Sequence, residues 1–103
     1  MTRFVQIIEY TTSRPDELRS AGEEWRSSRS GEPGGPDRVT VLRDRDREGH
    51  YYTVAEFESY DTAMANSGRD DTSQFASRLA ALCDGPPVFH NLDVAENWTP
   101  DAG

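Results

Sequence analysis

Hydrophobic positions recur first at every second residue, then at about every third or fourth, then at every second again. Residues 3–10 alternate Phe4, Gln6, Ile8 and Tyr10 against Val5, Ile7 and Glu9, which predicts a strand with apolar groups on both faces, central and buried on both sides. Ser13 as cap and Pro15 in the first turn open a helix whose Leu18, Ala21 and Trp25 fall on one stripe. From Ser27 to Asp37 the chain turns to Ser, Arg, Gly, Glu and Pro, including Gly34-Gly35-Pro36, which ends the helix and predicts a mobile connection. Residues 39–43 and 50–57, joined by the polar turn 44–49, read as an antiparallel hairpin. Ser59 caps a short helical piece with Ala63 and Met64, and Ser67-Gly68 interrupts it. Asp71 with Gln74 resembles a reciprocal cap for a second piece carrying Phe75, Leu79, Leu82 and Cys83. Gly85-Pro86-Pro87 stops that helix. Residues 88–96 form a last strand, with Val88, His90, Leu92 and Val94 on one face and Phe89, Asn91, Asp93 and Ala95 on the other.

The order strand, helix, strand, strand, helix, strand predicts an α+β fold, a ferredoxin-like βαββαβ sandwich with a four-stranded antiparallel sheet and helices on one face. Residues 1–96 make one domain, and 97–103 a C-terminal tail that lies over a partner subunit. A sheet with helices on one side leaves the other face wet, so the pattern predicts a homodimer closed through that face.

Composition changes the picture by exclusion. The 103 residues carry a net charge of −8, which repels nucleic-acid phosphates and anionic membrane surfaces alike. All 11 basic residues are Arg, so no lysine amine is available for a Schiff base or a phosphate-binding loop. The single cysteine, Cys83, cannot form an intramolecular disulfide, and no apolar run of signal-peptide or membrane-spanning length occurs. A cytoplasmic protein is expected. Two histidines and one cysteine at scattered positions give no metal spacing; no Gly-rich phosphate turn and no Gly-x-Ser-x-Gly elbow is present. Neither metal nor cofactor is expected.

Candidate chemistry rests on a few side chains. His90 stands on an otherwise apolar strand face, where it is either a proton acceptor or, more commonly at such positions, a buried histidine with a structural partner. His50 opens the hairpin strand and reads as solvated. Tyr10, Trp25, Tyr51, Tyr52, Phe57, Phe75 and Phe89, with Gln6 beside them, either line a pocket for a flat ligand or pack as a core. Asn66 precedes the helix break and Asn91 lies on the last strand, and each can turn an amide toward a pocket or serve as an ordinary polar residue. Glu9, Asp93 and Glu96 come together only if the first and last strands are neighbours; on a chain with 19 acidic residues, chance proximity on a solvated rim is the commoner outcome.

The segments RFVQIIEY, TVAEFES, SYDTAMANS and PVFHNLDV resemble the dimeric α/β-barrel superfamily, which includes antibiotic-biosynthesis monooxygenase-like and stress-responsive barrel proteins. The likeness spans nearly the whole chain in segment order, without a diagnostic signature. It implies two sheets closing a barrel, a small hydrophobic pocket between sheet and helices, and members ranging from cofactor-free oxygenases of aromatic substrates to haem-degrading enzymes and proteins without known activity. The haem-degrading pattern of histidine, tryptophan and asparagine is replaced here by Asn66, Phe57 and Gln6 or Ile8, so the resemblance does not extend to that chemistry. What it implies instead is oxygenation of an aromatic or polyketide-like molecule, with His90 or a tyrosine such as Tyr52 assisting deprotonation and Asn66 or Asn91 holding the oxyanion. The other reading is a non-catalytic ligand-binding or stress-associated homodimer. A third is a structural accessory subunit whose aromatic core is packed solid.

Overall fold

The period-two segments form strands and the helical stripes form helices, in the order β1 (Phe4–Thr11), α1 (Pro15–Ser28), β2 (Arg38–Arg43), β3 (His50–Phe57), α2 (Tyr60–Ser67), α3 (Asp70–Leu82) and β4 (Val88–Asp93). This computed structural model describes residues 2–28 and 35–100. The expected mobile connection lies in part, at residues 29–34 including Gly34, outside the described residues. The strands make one antiparallel sheet in the order β2-β3-β1-β4, as the ferredoxin-like pattern requires. No described helix is long and apolar enough to cross a membrane.

Register decides which residues share a face. Gln6 pairs with Ala55 and Asn91, and Ala55 with Val39, so β1 turns Phe4, Gln6, Ile8 and Tyr10 toward the helices. Its other face carries Val5, Ile7 and Glu9. β1 is central, as expected, but Val5 and Ile7 are only half-buried, because no helix among the described residues covers their side of the sheet.

The packed core sits at one end of the helix side. Phe4 is 2% exposed and clusters with Ala55, Phe57 and Ala63, flanked by Val39 and Met64. Its ring meets Phe57 at 6.3 Å and the edge of Tyr60 at 5.4 Å, favourable tilted geometries. α1 packs on α3, with Ala21 wholly buried. At the opposite end, the buried Thr12 donates its hydroxyl to the Leu82 carbonyl (2.6 Å) and accepts from the Arg14 amide (2.9 Å), tying β1, α1 and α3 together.

Local details differ from the sequence expectation at the ends of elements. Ser59 caps α2 by accepting from the Thr62 amide. Ser13 instead donates to the Asp84 carboxylate (3.2 Å). α3 starts earlier than expected: its cap position is Arg69, whose side chain makes no capping bond, and Asp71 already lies inside the helix. β4 ends at Asp93 rather than Glu96, with one further bond from the Val94 amide to Arg3.

Candidate functional site

Beyond the Phe4 cluster the helices stand off the sheet and leave a cavity of about 420 Å³, within the range of small-molecule sites. Its floor is the helix side of three strands: Gln6, Ile8 and Tyr10 from β1, Val39, Val41 and Arg43 from β2, and Tyr51, Thr53, Ala55 and Phe57 from β3. α1 contributes Leu18, Arg19, Gly22, Trp25 and Arg26, at the helical spacing that puts them on one stripe. Asn66, Thr72, Phe75 and Leu79 close the far wall.

Of the eight side chains considered for a pocket, Gln6, Tyr10, Trp25, Tyr51, Phe57 and Phe75 line the cavity, and Tyr52 and Phe89 do not. Four of the lining residues form two stacked pairs. Tyr10 and Tyr51 lie at 6.0 Å and 14° on the floor, and Trp25 and Phe75 at 5.2 Å and 21° between the helices. The Tyr10 hydroxyl bonds Thr53 Oγ1 (3.0 Å), and burial pushes its pKa up, so it stays a neutral phenol. Asn66 is 6% exposed, a buried amide on the cavity wall, placed there by the end of α2. Gln6 donates to Asn91 (3.1 Å), so Asn91 stands next to the cavity lining and outside it. Phe89 is half exposed on the same side of β4 and does not line the cavity.

His90 and Tyr52 lie across the sheet from the cavity. Strand alternation carries both to the uncovered face, so within one chain neither meets Asn66. His90 is not the buried histidine of an apolar face; its side chain is 45% exposed and its Nε2 lies 3.3 Å from Glu9 Oε1. Glu9 also meets Nε2 of His50 at 2.9 Å, and the His50 side chain is 13% exposed rather than solvated. These two histidine hydrogen bonds, His90 first, hold the Glu9 carboxyl below its ordinary pKa. Tyr52 tilts over His50 at 5.1 Å and accepts a hydrogen bond from Arg47 (2.7 Å). Glu9 and Asp93 do not converge, because antiparallel pairing sets Glu9 opposite Val88 and Asp93 opposite Phe4, at the other end and on the other face. Among the described residues no group of His, Cys, Asp and Glu could hold a metal ion.

Sequence reasoning missed the arginines of the cavity, although Arg19 and Arg26 share the helical stripe of Leu18 and Trp25 and were open to the same count.

With this geometry the chain matches solved structures along nearly its whole length. SnoaB, a cofactor-independent oxygenase from Streptomyces nogalater, superposes with a TM-score of 0.79 at 20% identity, covering 98% of this chain and 100% of that one. Rv0793 from Mycobacterium tuberculosis gives 0.74 at 15% identity, covering 94% and 99%. An antibiotic biosynthesis monooxygenase gives 0.70 at 12% identity, covering 90% and 99%. The architecture is therefore the ferredoxin-like fold of antibiotic-biosynthesis monooxygenase-like proteins. No protein-family model matches the sequence, and no curated protein does.

Proposed function

We propose that the chain is a cytoplasmic homodimer that binds an aromatic or polyketide-like molecule in the sheet–helix cavity and oxygenates it without a cofactor. The observation that carries this reading is the aromatic-walled cavity with the buried amide of Asn66 on its wall, in the fold of a cofactor-independent oxygenase. In the proposed reaction a phenolic ring with a neighbouring CH₂ loses a proton, and the resulting anion gives electrons to O₂. One oxygen atom stays on that carbon as a new carbonyl, and the other leaves as water with the two hydrogens the carbon carried. No carboxylate or imidazole among the described residues lines the cavity, so the proton leaves to water at the mouth. Asn66 donates to the oxyanion, and Tyr10, kept neutral, remains a donor rather than a base.

The test is oxygen uptake with an anthrone, which carries the required CH₂. Asn66→Ala is expected to lower turnover by about 10²-fold, the effect of removing one oxyanion donor, with the substrate still bound. Unchanged turnover in that variant overturns the assignment of Asn66. The lack of a lining carboxylate or imidazole among the described residues favours a second reading, ligand binding without chemistry, which predicts saturable binding and no oxygen uptake in the wild type.

A further inference from the structure

The cavity reverses the charge of the molecule around it. The chain has 19 acidic residues and a net charge of −8, yet among the described residues no Asp or Glu lines the cavity, while Arg19, Arg26 and Arg43 do. Among the described residues these three make no ion pair, nor does Arg45 in the hairpin turn, whereas Arg3, Arg14, Arg38, Arg47 and Arg78 each pair with a carboxylate. Leaving three guanidinium groups unpaired on a surface so rich in carboxylates points to a partner from outside the chain.

Their placement fits one ligand. Arg19 and Arg26 are seven residues apart on α1, two turns or about 10 Å along its axis, and Gly22 lies between them on the same stripe. A Cβ built at Gly22 meets nothing within 4 Å, so the space before the helix between the two arginines is open. Arg43 faces them from β2, on the same cross-strand rung as Tyr51 and Tyr10. Aromatic rings thus wall the cavity, and cationic forks stand at its margin. We infer that the site selects aromatic acids, with the ring system among Tyr10, Tyr51, Trp25 and Phe75 and the carboxylate held by Arg19, Arg26 and Arg43. Arginine suits this task because its planar fork matches a carboxylate with two parallel hydrogen bonds. This inference rests on the reading of the cavity as an aromatic-ligand site, and names the class of ligand it takes.

Calorimetric titration with 2-naphthoate and its methyl ester tests it. Naphthoate is expected to bind about tenfold more tightly than the ester at low ionic strength, and the advantage shrinks in about 1 M salt because the three arginines are exposed enough to be screened. The triple variant Arg19→Gln, Arg26→Gln, Arg43→Gln loses the preference and keeps its affinity for the ester, which also reports that it is folded. Gly22→Leu fills the gap and abolishes binding of both probes. Equal affinities in the wild type, or a preference that survives the triple substitution, overturn the charge selection and leave the cavity reading intact. Failure of both probes to bind, or binding indifferent to Gly22→Leu, overturns both.

Discussion

Gly49 holds φ at +78°, and a Cβ there would stand 3.3 Å from the carbonyl oxygen of Thr12, whose own amide bonds the Gly49 carbonyl at 2.9 Å. It ends the turn that Asp44 organises by accepting from the Asp46 amide and pairing with Arg47. Gly22 is the opposite case, a mid-helix glycine with open space in front of it. Gly49→Ala is therefore expected to destabilise the fold by about 1–2 kcal/mol, whereas Gly22→Ala stabilises it by roughly 0.5–1 kcal/mol. Urea unfolding of the two variants checks the pair, and the same sign in both would contradict the account. At this scale the sequence was partly informative: a polar turn closed by glycine was visible, but the left-handed φ was not. Asn66 was legible from the Ser67-Gly68 break that follows it, while its burial depended on how α2 meets β3.

Strands show what alternation can and cannot say. The two faces of β1 were correctly separated by counting every second residue, but both carry large apolar groups, so the count does not say which one the helices cover. That choice moves His90 out of the cavity and Asn91 to its border. The partnership of Glu9 with His50 and His90 was likewise hidden, because it joins three strands and depends on the register of two pairings. It has a pH consequence. The folded Glu9 carboxyl titrates below its ordinary value of 4.5, so the unfolded chain binds more protons than the folded one between the two values. The stabilisation from this carboxylate is complete above about pH 4.5 and is lost as pH falls through the folded value. Arg47, whose pKa is raised chiefly by its bond to Asp44, adds attraction to Glu9 from the same end of the sheet. Thermal unfolding of the wild type and Glu9→Gln should differ at pH 7 and converge toward pH 3; a gap that stays constant through that range would show that the carboxylate charge is not involved.

At the scale of the molecule, one sheet face has helices and, among the described residues, the other has none. The uncovered face carries Val5, Ile7, Leu42, Tyr52, Val54, Val88 and Leu92, with Leu42, Val88 and Leu92 each more than two-fifths exposed. Trp98 beyond β4 is 81% exposed. A contiguous apolar sheet face of this kind is costly to leave in water, and both outer strands, β2 and β4, present open edges. Pairing two copies face to face would bury the aliphatic stripe, give the tail and Trp98 a surface to lie on, and close the sheets toward a barrel. This is the proposed homodimer, and it places the Glu9 cluster near the seam and the cavities of both copies on the outside, behind their own helices. Leu92→Arg puts a charge on the uncovered face, beside Val5, without touching the cavity. It is expected to convert the assembly from twice the chain mass to the 11.6 kDa of one chain in native mass measurement, with ligand binding in the cavity retained. A wild-type chain that stays monomeric at high concentration would mean that this face is stable in water as it stands, and the dimer would have to be abandoned while the cavity and its ligand chemistry stood unaffected.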